Sequence, residues 1–277
     1  MGMPLNLSRG TRFVDALDWS AVGWLAAMLL GQWAFFYYIA AFYGGSALSG
    51  NFEVWNRLSV FGRHPFVAGD VVGNLTFLAH ALAAGIISLG GALQLVPKLR
   101  SRFPRFHRWN GRLFLLTVIG LSLSGFYLVL VRASAPVGLD SLGILLNGAL
   151  ILGFVAATYF AVRRRDLVAH REWAMRLYLV SNAQWFTRIG MFSYFVFSKL
   201  SGLAPISPEL FFKLWQYGCF LVPLGLLQLY LVGRRSQNRP FRAAVAATLF
   251  TATLVMGFGA LAFGAFSLKI IAGEPLT

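Results

Sequence analysis

A single cysteine, Cys219, in 277 residues excludes an intrachain disulfide and a thiolate zinc centre. Set between Tyr217-Gly218 and Phe220-Leu221, it reads as a small buried apolar residue. Acidic residues are scarce as well, nine against 24 Lys and Arg. None of the nine falls inside an apolar run, which argues against a carboxylate-based proton or cation pump. Charge of either sign reaches only 12%, where a soluble domain carries about 25%. The motif inventory is equally bare: no dinucleotide-binding glycine fingerprint, no P-loop, no metalloprotease helix and no nucleophile elbow. What is abundant is apolar sequence, 58% hydrophobic with a mean hydropathy of +0.68. One soluble core cannot absorb that much, so the solvent is lipid.

A crossing helix needs about 20 apolar residues. Seven runs qualify: Trp19–Tyr43, Val71–Val96, Leu113–Val131, Leu142–Val162, Trp173–Ser198, Leu214–Gly233 and Ala243–Leu268. They lack the alternation of a barrel strand, so the fold class expected is all-α, a polytopic bundle of seven transmembrane helices. The first run is too long for a cleaved signal and reads as an anchor. The whole chain, 1–277, is expected to form one integral membrane domain. Its core is residues 71–198, with 19–43, 214–233 and 243–268 as accessory helices.

The basic residues sort by side. Arg9, Arg12, Lys98, Arg100, Arg102, Arg105, Arg108, Arg112, Arg163, Arg164, Arg165, Arg171, Arg176, Arg234, Arg235, Arg239 and Arg242 gather at one face. Arg57, Arg63, Arg132, Lys199, Lys213 and Lys269 hold the other. The positive-inside bias predicts a bacterial inner-membrane protein with a cytoplasmic N-terminus and a periplasmic C-terminus. The net charge of +15 is therefore topology and not a nucleic-acid patch. In the longest outer loop, Phe52, Trp55, Leu58 and Phe61 recur at helical spacing and predict a short helix on the outer interface. Pro223 is expected to kink the sixth run without ending it.

Two ionisable residues fall at mid-membrane depth by counting from the nearest turns: His80 in the second run and Arg188 in the fifth. A charge there is costly unless it meets a partner or a wet cavity, and Arg cannot shed its proton. Arg188 is expected to point inward with Gln184 one turn away and Asn147 of the fourth run as a neighbour. Together His80, Arg188, Gln184 and Asn147 form either a structural hub or a mid-membrane polar site. His64, in the outer loop, reads as solvated.

Two further clusters stand at the starts of the third and fifth runs, "RFHRWNGRLF" and "AHREWAMRLY". Trp109 and Trp173 suit interfacial anchors, and phospholipid headgroups suit the like-charged pair Arg108 and Arg112. Glu172 and Arg176 form a favourable i,i+4 pair. His107 and His170 have no special use as anchors. Two imidazoles at one depth are what a b-type haem requires as axial ligands to its iron, with Arg108, Arg112 and Arg176 beside the propionates.

The stretch "HALAAGIISLGGALQLVPKLRSRFPRFHRWNGRLF" followed by "HREWAMRLYLV" resembles the bacterial membrane-protein family termed domain of unknown function 2306. The residues that carry the likeness are His80, Arg100, Arg102, Pro104, His107, Arg108, Trp109, Gly111, Arg112, His170, Trp173 and Arg176. One departure is Ala174-Met175, where the family pattern places Met directly after Trp. The resemblance covers spans two to five and implies a polytopic inner-membrane protein, with no activity attached. A shorter likeness, three residues deep, links His-Arg-Trp-x-Gly to the His-Ser-Trp-Leu-Gly of transmembrane b-type cytochromes.

The functional expectations are three. The first is haem b bound by His107 and His170, in electron transfer or quinone-linked redox with a membrane redox complex. The second is a carrier for a small anion or lipid using His80 and Arg188. The third is an assembly subunit of a larger complex, for which Gly257, Gly259 and Gly264 would permit close helix contact.

Overall fold

A computed structural model of the protein describes residues 15–58, 64–133, 137–203 and 205–274. Arg9, Arg12, Phe61 and Arg63 lie outside them. Among the described residues there are helices and turns and no strand, in agreement with the all-α expectation.

Helix α1 (Ala16–Tyr38) runs through a π-helical turn (Ile39–Gly44) into the short α2 (Gly45–Leu48). A 3-10 helix (Glu53–Leu58) precedes α3 (Val71–Leu93), the short α4 (Pro97–Arg102), α5 (Pro104–Leu130) and α6 (Leu139–Arg163). Then come α7 (Leu167–Ser181), α8 (Ala183–Ser201), α9 (Pro208–Arg235) and α10 (Arg239–Ala272). The starts are set by short polar caps that satisfy free amide groups. Asp15, Asp70, Asp166, Ser207 and Asn238 accept from the backbone N–H three residues on, at 3.0, 2.8, 2.9, 3.2 and 3.0 Å. Helices α8 and α10 end on Gly202 (φ 68°) and Gly273 (φ 76°), the left-handed conformation that glycine adopts without penalty.

Six helical segments are long and apolar enough to cross a membrane: 16–48, 71–93, 104–130, 139–163, 208–235 and 239–272. The seventh expected span, a continuous helix over 173–198, is not among them. It is broken at Asn182 (φ −100°, ψ 17°) into α7 and α8. Asn182 turns its amide nitrogen back to the Tyr178 carbonyl (2.7 Å), and Ser181 Oγ does the same to Leu177 (2.7 Å). Side-chain bonds of this kind compete with the helical ladder. Still, α7 and α8 together link the two ends of the bundle. At one end Glu172 of α7 pairs with Arg235 at the close of α9, and α1 meets α10 through Asp15 and Arg242. At the other, Arg132 after α5 reaches Asp70 before α3 (2.7 Å), and the Tyr217 hydroxyl of α9 donates to the Leu139 carbonyl at the start of α6 (2.9 Å).

The helices close into a ring, with α1 against α10 and α3, α3 against α5, α5 against α6, and α6 against α7 and α9. Helix α8 then packs on α9 and α10. The first and last spans pack against one another, and α1 also against α3 and α10 against α8. Glycines of both spans permit close approach to α8. A Cβ on Gly31 would sit 2.1 Å from Trp185 Cζ2 of α8, and one on Gly259 would sit 2.7 Å from the Ile189 carbonyl. Phe263 of α10 meets Phe35, Tyr38, Trp185 and Phe192 edge-on at 5.4–5.9 Å. Gly259 is therefore spent on internal packing, while Gly257 and Gly264 face open space.

The outer-loop helix also departs from expectation. Trp55 is fully buried and not interfacial, enclosed by Tyr43, Phe52, Phe66 and Phe77, and its indole N–H donates to Ser46 Oγ (2.5 Å). Its aromatic spacing closes the top of the bundle. Helix α9 passes through the buried Pro223 without interruption.

Candidate functional site

A cavity of about 80 Å³ lies where α3, α5, α6 and the α7–α8 break converge, with Phe35 of α1 closing one wall. Its polar lining is His80, Ser88, Ser122, Asn147, Ser181, Asn182 and Gln184, with Trp185 among the aromatic residues of the wall. The rest is apolar, including Ile87, Val118, Leu121, Phe126 and Ile151. A mostly apolar wall carrying a few convergent polar groups is the usual character of a ligand site.

The lining groups have defined hydrogen-bonding states. Ser124 Oγ, on α5, donates to the Gly120 carbonyl (2.7 Å) and lies 2.8 Å from His80 Nδ1. Ser124 Oγ thus ties the His80 ring of α3 to the backbone of α5. Ser88, Ser122 and Ser181 each spend their hydroxyl proton on a carbonyl four residues back, at 2.9, 3.0 and 2.7 Å, and present lone pairs only. Two buried polar atoms of the lining have no partner: Asn147 Oδ1 and Trp185 Nε1. Trp185 is 1% exposed. Unpartnered groups in such surroundings cost free energy that a bound molecule can recover.

Arg188 takes another position. Its guanidinium donates to the Gln184 carbonyl (2.9 Å) and to Gln184 Oε1 (3.3 Å), and stacks over the Phe35 ring at 4.5 Å. The Gln184 contact matches the sequence spacing. Arg188 does not line the cavity, however, and no contact joins it to Asn147. The structure thus places His80, Asn147 and Gln184 on one cavity, with Arg188 outside its lining but bonded to Gln184 and stacked on Phe35, two of the lining residues.

The other imidazoles lie near the basic end. His170 Nδ1 is 3.2 Å from the Thr158 carbonyl of α6. With its amide turned so that both ends find partners, Gln94 donates to His107 Nδ1 (2.9 Å) and accepts from Gly111 N (3.1 Å). The two rings and Arg100 are within electrostatic reach of one another. Around them, Arg112 stacks on Trp109 and Arg176 on Trp173, each at 4.9 Å. Arg176 is further held by Glu172 (3.6 Å) and by Gln228 Oε1 (3.1 Å), whereas Arg108 is exposed. No cluster of three or more His, Cys, Asp or Glu that could hold a metal ion occurs among the described residues.

Sequence reasoning did not single out Trp185, Asn182, Ser181 or Ser124. The signal for two of them was available: Ser181-Asn182 are consecutive poor helix formers in the middle of an apolar run.

The chain belongs to the predicted membrane protein family DUF2306, domain of unknown function 2306, whose profile matches residues 77–231. The match begins within α3, ends within α9 and includes every residue of the cavity except Phe35. No curated protein and no solved structure matches the chain.

Proposed function

We propose that this protein is a membrane-embedded carrier for a small polar solute, bound in the cavity of His80, Asn147 and Trp185. The observation that carries the reading is the coincidence of that cavity with the break at Asn182. A helix interrupted inside a bundle is tolerated where it lines a cavity, and discontinuous helices form the binding sites of many secondary transporters. The volume of about 80 Å³ favours a solute of a few atoms over a lipid chain, since pockets for drug-sized ligands span roughly 300–1,000 Å³. The test is thermal melting of the detergent-purified protein against a panel of small polar solutes. A solute that raises the melting temperature of wild type and not of His80→Ala or Asn147→Leu supports the carrier. No such solute, together with unchanged solute flux in vesicles holding wild type or variant, refutes it.

A second reading is favoured by the orientation of one ring. His170 Nδ1 faces the Thr158 carbonyl, which leaves its Nε2 free, the arrangement that second-shell partners impose on metal-binding imidazoles; His107, whose Nδ1 accepts from Gln94, would have to exchange tautomer to join it. On this reading His107 and His170 would hold a b-type haem that supplies one-electron transfer, with Arg108, Arg112 and Arg176 toward its propionates. A reduced-minus-oxidised spectrum with a pyridine haemochrome assay decides. Near-stoichiometric haem lost in both His107→Ala and His170→Ala supports it, and colourless protein from haem-replete cells rules it out.

A further inference from the structure

We propose that the elbow between α4 and α5 is a docking surface for an anionic phospholipid. The inference is independent of the solute cavity, and it gives Arg108 and Arg112 a lipid phosphate in place of a haem propionate. Six cations sit on this elbow: Lys98, Arg100, Arg102, Arg105, Arg108 and Arg112, all exposed. Among the described residues none of them pairs with a carboxylate. The sequence explains why, since no Asp or Glu occurs between Asp70 and Asp140. Elsewhere at the same end, charge is met from within the protein. Arg176 and Arg235 share Glu172, Arg234 faces Asp18 (3.9 Å), and Arg242 holds Asp15. The turn between α6 and α7, with Arg163, Arg164 and Arg165, has Asp166 beside it. Like charges one turn apart, as at Arg105, Arg108 and Arg112, repel one another unless a counter-anion joins them.

Beside these cations runs an exposed apolar stripe. Phe103, Phe106, Trp109, Leu113 and Leu116 are all exposed and recur every three or four residues, which sets them on one side of α5. Trp109, 68% exposed, lies one turn from both Arg105 and Arg112, and Arg112 stacks on its ring at 4.9 Å. The stripe continues from the elbow onto the flank of the span itself. A free anion would use the cations alone. A lipid uses both features, with its phosphate at Arg105, Arg108 and Arg112 and its chain along Trp109, Leu113 and Leu116. The elbow is also braced. Phe103 N donates to the Leu99 carbonyl (2.8 Å) and His107 N to the Phe103 carbonyl (3.1 Å). Asn110 Nδ2 ties α5 to the Gly90 carbonyl of α3 (3.0 Å). Charges carried on a braced backbone bind with less ordering cost.

The experiment is native mass spectrometry of the full chain, delipidated in neutral detergent and titrated with phosphatidylglycerol or phosphatidylcholine of identical acyl chains. Wild type should bind phosphatidylglycerol more tightly by at least about fivefold, the effect of one basic residue at an anionic headgroup. The preference should shrink as ionic strength is raised. Substituting Arg105→Gln, Arg108→Gln and Arg112→Gln together should erase it. Substituting Arg163→Gln, Arg164→Gln and Arg165→Gln together removes the same charge from the other turn and should leave it in place. Equal binding of the two lipids by wild type overturns the proposal, with no variant required to fold. Equal loss in the two triple variants also overturns it, because the preference would then follow net charge and not the elbow. Inorganic phosphate that displaces phosphatidylglycerol at matching concentrations overturns it too, by showing an anion site with no part for the lipid chain.

Discussion

At the scale of single residues, close approach and hydrogen-bond direction decide what this molecule tolerates. Gly31 and Gly23 lie on the same helix, yet only the first faces Trp185. Gly31→Ala forces a clash against the indole and should destabilise by about 1–3 kcal/mol. Gly23→Ala meets nothing within 4 Å and should stabilise by up to about 1 kcal/mol through helix propensity. Opposite shifts in melting temperature check both. Ser124 matters through His80: Ser124→Ala removes the hydroxyl 2.8 Å from His80 Nδ1, so the His80 ring-nitrogen resonances should shift. His80 and Asn147 were legible in the sequence because polar atoms inside an apolar run stand out. Trp185 was not, because a tryptophan in a membrane span looks apolar until its N–H is found without a partner.

At the scale of elements, the α7–α8 junction is the unit that sets this bundle apart from a plain array of helices. Asn182→Leu removes the bond to Tyr178 and rebuilds one wall of the cavity. It should abolish solute-dependent stabilisation while the protein still inserts and purifies, as melting curves with and without solute would report. A second junction is the clamp between α3 and α5. Arg132 donates to Asp70 and Asn74, both at 2.7 Å, and to the Pro65 carbonyl at 3.1 Å. The Arg132 hydrogen bond, then the Gly73 amide, hold the Asp70 carboxyl below its ordinary range. A carboxyl depressed on folding contributes stability above its unfolded value and loses it as pH falls through the folded one. The stability difference between wild type and Asp70→Asn should be full at neutral pH and vanish below the ordinary carboxylate range, as melting across pH would show. The helices themselves were readable from run length. The break was not, because hydropathy averages over windows longer than the one residue that interrupts α7.

At the scale of the whole molecule, the helices close into a ring, and the packing of the first and last spans could not be read from hydropathy alone. It emerges from Gly31 against Trp185 and from Phe263 among Phe35, Tyr38 and Trp185, matches between distant residues that composition does not reveal. Orientation rests on charge: the basic clusters of α5, α7 and α9–α10 lie at one end. The account expects that end in the cytoplasm by the positive-inside bias. Reporter fusions after Arg235 and after Ala272 should therefore read cytoplasmic and periplasmic in turn, and the same side for both would contradict seven crossings.

The central claim is that a polar molecule occupies the cavity at the broken helix, and a high-resolution experimental density map tests it most directly. The account predicts ordered non-protein density within hydrogen-bonding distance of both Trp185 Nε1 and Asn147 Oδ1. A dry cavity, or Trp185 and Asn147 satisfied by protein groups alone, would contradict it.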